Sequence, residues 1–326
     1  MPEPNSVAAN GESAERASLD QLRALTSAAR PAGPGAGDAD AQAADRGRLL
    51  VQGQDGPGIV AALSAALART GANIVSLDQH STGPSGGRFF QRTVFHRPDL
   101  AARWAGLEAT LHQALEDHPG LAWQLTRVAE TKRVAIFASR LDHCLLELLW
   151  RQRRGELPMR TVAVISNHPD LADDTRQFGA PFVHIPVEPG HKAEAEQRQL
   201  DLLKGNVDLV VLARYRQILS GDFLAEVGVP VINIHHSFLP AFIGAAPYQQ
   251  AKERGVKLIG ATAHFVTEML DEGPIIEQDV VRVSHEDSAE DFARRGADIE
   301  RLVLARAVTA FCEDRILRDG RTTVVF

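Results

Sequence analysis

Cysteine is almost absent from this chain, whose 326 residues contain only Cys144 and Cys312. Two cysteines cannot build a disulfide framework or a cysteine-rich zinc site, so we expect a reducing, cytoplasmic location. No apolar run is longer than a strand, which predicts that no segment crosses a membrane. Basic residues are not in excess either, because 42 acidic residues face 35 basic ones. The formal net charge of −7 argues against nucleic-acid binding and favours a small-molecule partner.

The length of the chain suits two domains and an extension. Residues 1–46 are dominated by Ala, Gly, Pro, Ser and Asp, a composition that cannot bury enough apolar surface to fold. We therefore predict a disordered amino-terminal extension. No apolar segment follows the start, so we do not expect a secretory signal.

Residues 47–129 predict a small first domain. The strand L-L-V-Q is followed by a helix with Ile59, Leu63 and Leu67 on one face, and then by two alternating strands that form a hairpin. A helix near residues 99–117 and a final strand complete the order βαββαβ. This order is the ferredoxin-like split motif.

Residues 130–326 predict a second, larger domain. Short runs such as V-A-I-F-A, T-V-A-V-I-S and D-L-V-V-L-A are apolar throughout, which is typical of strands covered on both faces. Helical segments alternate with them, near residues 142–151, 170–178, 192–204 and 221–227. The pattern predicts an α/β fold with a doubly wound, mostly parallel sheet, which binds ligands beyond the carboxyl ends of its strands.

A long helix near the end of the chain begins with S-A-E-D, where Ser288 can cap the helix and Asp291 complements its dipole. Its apolar residues predict a stripe that packs on the sheet. The residues of this predicted stripe are Ile299, Leu302, Val303, Ala307, Ala310 and Phe311. A hairpin around Asp319 and Gly320 closes the chain.

The residues that suggest chemistry lie between 233 and 274. Asn233 and His235 are separated by one residue, so their side chains point to the same side of an extended strand. An asparagine amide can donate to a developing oxyanion, and a histidine can move protons near neutral pH. A carboxylate such as Asp271 could hold a water or the imidazole in position, so the group suits attack on a carbonyl without a metal.

Simpler readings of the same residues stay open. The chain has 12 histidines, most of which must be surface or core residues, and Asp271 before Gly-Pro could be an ordinary turn residue. The motif G-x-S-x-G is absent, so a serine nucleophile has no support.

The segment D-G-P-G-I-V-A followed by G-A-N-I resembles the ACT family of amino-acid-sensing modules. The resemblance implies an effector site at the strand-to-helix turn with Asp55, Gly58 and Ile59, together with Asn73. It also implies self-association, and hence a homo-oligomer. The alternative reading is that Gly58 and Asn73 only shape turns.

The segments N-I-H-H-S-F-L-P, H-F-V-T and L-D-E-G-P resemble the folate-dependent formyltransferase and hydrolase fold. The resemblance implies that Asn233 polarises the formyl oxygen and His235 transfers the proton. Asp271 would position and activate the attacking species, and His264 would lie nearby in support.

Further segments, D-H-C-L, I-S-N-H-P-D-L and L-A-R-Y, make the chain from Arg48 to Phe326 similar to the formyltetrahydrofolate deformylase family. The resemblance implies hydrolysis of 10-formyltetrahydrofolate to formate and tetrahydrofolate, a reaction connected with purine biosynthesis, without cofactor or metal. It implies glycine or methionine as effector. It places the folate near Gln217, Ile218, Leu219, Val266 and Gly273.

Two other functions stay open at this point. A formyltransferase could pass the group to an amine, but one that binds a ribonucleotide acceptor needs a glycine-rich phosphate loop. Here the first strand of the larger domain ends in A-S-R-L-D-H, without glycine and with Asp142, which would repel a phosphate. A non-catalytic amino-acid sensor is the other alternative.

Four positions depart from the pattern of the family. They are Arg216, Ile243, Ala246 and Gln249, which lie around the predicted pocket and after the catalytic strand. These departures bear on the affinity for the substrate, or they indicate that a related formyl compound is the substrate. The three predicted catalytic residues are intact.

Overall fold

The computed structural model describes residues 43–240 and 247–326. These residues form two compact units. The large unit takes in Lys132–Cys312, and the amino-terminal unit combines the described residues up to Thr131 with Glu313–Phe326. Residues 1–42 of the predicted extension, and the positions Ile243 and Ala246, lie outside the described residues.

The amino-terminal unit has the predicted βαββαβ order. Its elements are β1 (Arg46–Gln54), α1 (Ile59–Arg69), β2 (Asn73–Ser81), β3 (Arg88–His96), α2 (Leu100–Leu115) and β4 (Ala122–Arg127). The four strands form an antiparallel sheet in the order β2-β3-β1-β4. Strand β2 therefore lies at an edge of the sheet.

Strand β1 explains how this sheet is covered, because its side chains alternate between two faces. Leu49 and Val51 pack into the core formed with α1 and α2. Leu50 points to the other face and packs with Leu317 of the carboxyl-terminal hairpin. This hairpin, β12 (Ile316–Asp319) and β13 (Thr322–Val325), forms where the sequence predicts it, and it belongs to the amino-terminal unit although it ends the chain.

The large unit contains the remaining elements. They are β5 (Lys132–Ala138), α3 (His143–Arg154), β6 (Met159–Ser166), α4 (Ala172–Gln177), β7 (Phe182–His184), α5 (Lys192–Leu203), β8 (Leu209–Ala213), α6 (Gly221–Val227), β9 (Val231–His235), α7 (Pro247–Glu253), β10 (Leu258–Phe265), β11 (Ile275–Arg282) and α8 (Ala289–Cys312). The seven strands lie in the order β11-β10-β9-β8-β5-β6-β7. Strands β5 to β9 run parallel, and β10 and β11 are antiparallel.

The order of the strands determines where a ligand can bind. The chain leaves β5 toward β6 on one side and later returns to β8 on the other side, so the connections diverge beyond the carboxyl ends of β5 and β8. Such a switch point leaves a crevice. Strand β9 lies next to β8 in parallel, so His235, its last residue, reaches the same edge.

The long helix α8 begins with the predicted cap. The backbone N–H of Asp291 donates to Ser288 Oγ (3.1 Å), and the N–H of Ser288 donates to Asp291 Oδ2 (2.9 Å), which is a capping box. The predicted apolar stripe is wrong in one respect. Leu302 is 38% exposed, whereas Glu300 is buried at 1% exposure, because Glu300 has partners from three other elements. In the described part of the chain, no helix is long and apolar enough to span a membrane.

Candidate active site

Strand β9 carries Asn233 and His235 on the same face. The intervening Ile234 points away and is buried in the core. His235 is itself only 7% exposed, although it is the last residue of the strand. An imidazole is thus held at the crevice edge of the sheet with little freedom to move.

Strand β10 brings His264 to this face. It pairs antiparallel with β9, so that His264 lies opposite Asn233. The Nδ1–H of His264 donates to the carbonyl of Phe265 (3.0 Å), because a carbonyl can only accept. The other ring nitrogen, Nε2, then accepts from Asn233 Nδ2 at 3.3 Å. His264 is 2% exposed and holds the Asn233 amide in place.

The loop after β10 folds back to place Asp271 against both histidines. Asp271 has a left-handed backbone (φ 56°), which aspartate tolerates better than most residues. The loop closes through the N–H of Phe265 and the carbonyl of Pro274 (2.9 Å). Gly273 lies so close to the Phe265 carbonyl that a Cβ atom at this position would overlap it. Glycine is therefore required for the loop to come this near the strand.

The Asp271 carboxylate fixes which nitrogen of His235 carries the proton. Burial raises the pKa of Asp271, but the hydrogen bond from His235 and the neighbouring His264 ring outweigh burial and hold the pKa well below its usual range. The ionised carboxylate can only accept, so His235 Nδ1–H donates to Asp271 Oδ1 at 3.2 Å. His264 Nε2 is 3.6 Å from the same oxygen.

The second ring nitrogen of His235 is left with a lone pair. His235 Nε2 is buried and has no hydrogen-bond partner among the described residues. A buried polar atom without a partner is rare and calls for an explanation. In the neutral imidazole with its proton on Nδ1, such an Nε2 has a lone pair that can take a proton from a bound water or substrate.

The segment after β9 is fastened to the sheet by the buried side chain of Thr262. Its hydroxyl donates to the Ser237 carbonyl (2.9 Å) and accepts from the Leu239 N–H (3.0 Å). Gln278 of β11 donates to the Thr262 hydroxyl (2.8 Å) and to the Leu239 carbonyl (3.1 Å). These bonds hold the H-S-F-L segment in one conformation, a role that sequence reasoning missed.

The predicted folate contacts lie on the loops that follow β8 and β10. Gln217, Ile218 and Leu219 follow β8, which neighbours β9 at the crevice edge. Leu219 belongs to an apolar cluster of the large unit, and Val266 packs against the same cluster. Ile218 is 62% exposed and Gln217 is half-buried.

Both domains of the chain match known protein families. Residues 132–308 match the formyl transferase family, and residues 47–102 match the ACT domain. A formyltetrahydrofolate deformylase from Mycobacterium tuberculosis (strain H37Rv) is 62% identical over 283 residues, covering 87% of this chain and 91% of the relative. A relative of the same name from Bacillus subtilis is 49% identical and covers 86% and 94% of the two chains.

This chain belongs to the formyltetrahydrofolate deformylase family. A crystal structure of a family member from Pseudomonas syringae has a TM-score of 0.81 and 46% identity to it, covering 86% of this chain and 94% of the other. Glycinamide ribonucleotide transformylase 1 from Symbiobacterium toebii has a TM-score of 0.57 and 33% identity, and covers 60% of this chain. The predicted fold class, an ACT domain followed by a formyltransferase-like domain, is confirmed for this family member.

The predicted effector residues are only partly brought together within one chain. Asp55 accepts from the Ser81 hydroxyl at the end of β2, and Gly58 starts α1 with a left-handed backbone (φ 88°). Ile59 is a core residue, so only its backbone can face a ligand. Asn73 lies at the start of β2, eight residues from Ser81, which on an extended strand is about 26 Å away.

One buried group in the large unit was not predicted. In the described part of the chain, His143, Cys144 and Glu300 offer ligand atoms within 4.8 Å of one another. The guanidinium of Arg214 lies 3.3 Å from the Glu300 carboxylate and already supplies its positive charge, so the trio is poorly suited to a metal cation. The spacing of Glu300 from Phe292 and Gly296, four residues a step on one helix face, is the sequence signal that could have revealed its burial.

Proposed function

We propose that this chain hydrolyses 10-formyltetrahydrofolate to formate and tetrahydrofolate. The observation that supports the proposal is the buried Nε2 of His235, which has no partner among the described residues while Nδ1 lies against Asp271. In the neutral imidazole whose proton is on Nδ1, this Nε2 carries a lone pair. The relatives named formyltetrahydrofolate deformylase support the choice of substrate.

The proposed reaction begins with water between His235 and the formyl carbon. The water oxygen adds to the carbon while its proton passes to His235 Nε2, and the carbonyl electron pair moves onto the formyl oxygen. The C–N bond to the folate then breaks, and the leaving nitrogen takes the proton back from His235. Formate and tetrahydrofolate are the products, and His235 is again neutral.

The neighbouring groups have distinct proposed roles. Asn233 has a second amide N–H beyond the one that donates to His264, and this N–H stabilises the developing oxyanion. Asp271 holds the His235 tautomer and stabilises the imidazolium that forms, as carboxylates do beside catalytic histidines. These groups supply a base and an oxyanion donor, so the proposed reaction uses no metal or cofactor.

We propose that the folate ring binds along the two loops that flank the catalytic group. Gln217, Ile218 and Leu219 form one side and Val266 and Gly273 the other. An exposed isoleucine beside a half-buried glutamine offers apolar area together with an amide, a combination that suits a pterin.

A product assay tests the reaction. Purified protein is incubated with 10-formyltetrahydrofolate, with and without glycinamide ribonucleotide, and formate and tetrahydrofolate are measured. We expect both products at the same rate in both samples. Tetrahydrofolate released only when the amine is present would instead identify a formyltransferase, and no product in either sample would favour a passive amino-acid sensor.

We further propose that the ACT domain binds glycine or methionine between two copies of this chain. Val75 and Leu77 of the edge strand β2 are exposed, and antiparallel pairing of two β2 strands would bring Asn73 of one copy beside Asp55 and Ser81 of the other. Formate release with and without each amino acid, for wild type and Asn73→Ala, tests this. We expect a response in wild type that the variant loses, and the same response in both would contradict the shared site.

A further inference from the structure

The carboxylate of Glu300 is buried against three residues from different parts of the large unit. Its Oε2 accepts from His143 Nε2 of α3 at 2.8 Å and lies 3.3 Å from Arg214 Nε, just after β8. Its Oε1 accepts from the Tyr248 hydroxyl of α7 at 2.6 Å. A buried charge with this many partners is expensive to desolvate. Such a charge therefore calls for an explanation beyond the packing of α8.

Two residues of helix α8, one turn apart, contact Tyr248. Gly296 lies four residues before Glu300, on the same helix face. A Cβ atom at Gly296 would overlap the Tyr248 hydroxyl and its ring. Gly296 thus leaves space for the phenol ring, and Glu300 accepts the hydrogen bond from its hydroxyl. Together these two contacts define the position of the ring.

Tyr248 in turn contacts the end of the catalytic strand. Its ring meets the His236 ring edge-on, with the centroids 5.9 Å apart, in a favourable geometry for aromatic pairs. His236 directly follows His235, and their ring centroids are 5.2 Å apart. A continuous series of contacts therefore leads from Glu300 through Tyr248 and His236 to His235.

The charges of Glu300 and Arg214 compensate each other close to His236. Burial, and next the positive charge of Arg214, lower the pKa of His236 to about 4, so His236 is neutral at neutral pH. Burial raises the pKa of Glu300, but His143, Arg214 and Tyr248 outweigh it and lower the pKa to about 2. Without the Glu300 charge, the positive charge of Arg214 near His236 would lack its carboxylate partner.

We propose that Glu300 and Tyr248 are positioning residues for the hydrolysis: through the edge-on contact of Tyr248 with His236, they hold the end of β9 so that His235 stays aligned with Asp271. This inference rests on the proposed function, in which His235 is the base. Neither Glu300 nor Tyr248 touches the reacting atoms. Their effect reaches the reaction through the orientation of His235.

The chain offers a matched pair of variants, because Tyr248 and Tyr215 are its two tyrosines. Tyr215 is buried whereas Tyr248 is half-buried. The Tyr215 hydroxyl accepts from Gln199 Nε2 (3.1 Å), and its ring packs on Phe137 and not on a histidine. Tyr248→Phe and Tyr215→Phe each remove one hydrogen-bonded hydroxyl. They differ in whether the series of contacts to His235 is affected.

Steady-state kinetics form the first part of the test. We expect kcat to fall about tenfold in Tyr248→Phe and by about 10- to 100-fold in Glu300→Gln, since small misplacements of a catalytic group cost this much. The value of KM should stay within about twofold, and Tyr215→Phe should change kcat by less than about twofold. The double variant should be no slower than Glu300→Gln, because both changes interrupt one contact. Equal kcat losses in the two tyrosine variants, or a loss confined to KM, would overturn the proposal.

Imidazole ¹⁵N NMR spectra form the second part, and they do not depend on turnover. The signals of His235 and His236 are assigned with His235→Asn and His236→Asn. We expect both signals to shift in Tyr248→Phe and to stay in place in Tyr215→Phe. Unchanged signals in Tyr248→Phe would refute the positioning role even if the wild type released no formate, and Tyr248→Phe decides the outcome if Glu300→Gln does not fold.

Discussion

Two histidine–carboxylate pairs of the large unit, His143 with Glu300 and His235 with Asp271, differ in how completely their polar atoms have hydrogen-bond partners. In one, His143 Nε2 is 2.8 Å from Glu300 Oε2, and both oxygens of Glu300 have partners. In the other, His235 Nδ1 is 3.2 Å from Asp271 Oδ1, while His235 Nε2 has no partner among the described residues.

This difference distinguishes a pair that holds neighbouring elements in position from a pair that can take part in a reaction. A carboxylate whose oxygens are all engaged lowers the energy of one arrangement and keeps neighbouring elements in place. A ring nitrogen that has a lone pair but no hydrogen-bond donor beside it can accept a hydrogen bond or a proton from a ligand. A histidine paired with a carboxylate can therefore serve either purpose. The presence of a ring nitrogen without a partner distinguishes the proposed catalytic pair from the positioning pair.

The largest expected effect compares the two histidines directly. His235→Ala should lower kcat by about 10³-fold, because it removes the proposed base. His143→Ala should lower kcat by about tenfold or less, because Arg214 and Tyr248 still engage Glu300. Formate release under saturating folate measures both, and equal losses would show that the comparison between the two pairs is mistaken.

The next effect concerns the amide beside His235. Asn233→Asp should lower kcat by about 10²- to 10³-fold, because a carboxylate repels a forming oxyanion. Asn206→Asp is the matched control, since the Asn206 amide donates to the Leu202 carbonyl (3.0 Å) outside the catalytic group. Its kcat should stay within about twofold of wild type. A wild-type rate in Asn233→Asp would refute the oxyanion role.

The third expected effect is a pH dependence of stability that comes from His236, which lies between the two pairs. Its folded pKa of about 4 is below the ordinary value of 6.5, so between these values the unfolded state binds a proton that the folded state does not. Stability is therefore lost as the pH falls, by about 2 kcal/mol from pH 7 to pH 5. The lowered pKa of Asp271 adds a loss only below the ordinary aspartate range.

Urea unfolding of wild type and His236→Asn at pH 7 and pH 5 measures this contribution. The variant should lose less stability on acidification, by about 2 kcal/mol. Parallel losses in the two proteins would mean that His236 takes up its proton in the folded state as readily as in the unfolded state.

The smallest effect tests the loop that completes the catalytic pair. Gly273→Ala should destabilise the protein by about 2 kcal/mol and reduce kcat, because the new methyl group overlaps the Phe265 carbonyl. Gly106→Ala, at an exposed position of α2 with open space around it, should stabilise by about 1 kcal/mol. Urea unfolding measures both, and a neutral Gly273→Ala would show that the loop can move without loss.

Much of this site could be predicted because its signals are local. The alternation of Asn233 and His235 needs only the geometry of one strand, and the apolar runs of β5 to β9 predict a covered parallel sheet. The separation of Asn73 from Asp55 could not be read from the turn motif, because it depends on the direction of β2 within the sheet. The burial of Glu300 was missed because an apolar stripe counts hydrophobic residues and ignores a charge that finds partners.

The sequence by itself determined the fold class, the strand that carries the proposed catalytic asparagine and histidine, and the family, since periodicity and short motifs act over a few residues. Only the tertiary structure decided the state of His235. The register of β10 on β9, the return of the loop at Gly273 and the burial of Asp271 bring together residues that are distant in the chain. The contact of His235 Nδ1 with Asp271 and the absence of a partner for Nε2 among the described residues follow from these contacts, because hydrogen bonding and burial depend on three-dimensional neighbours.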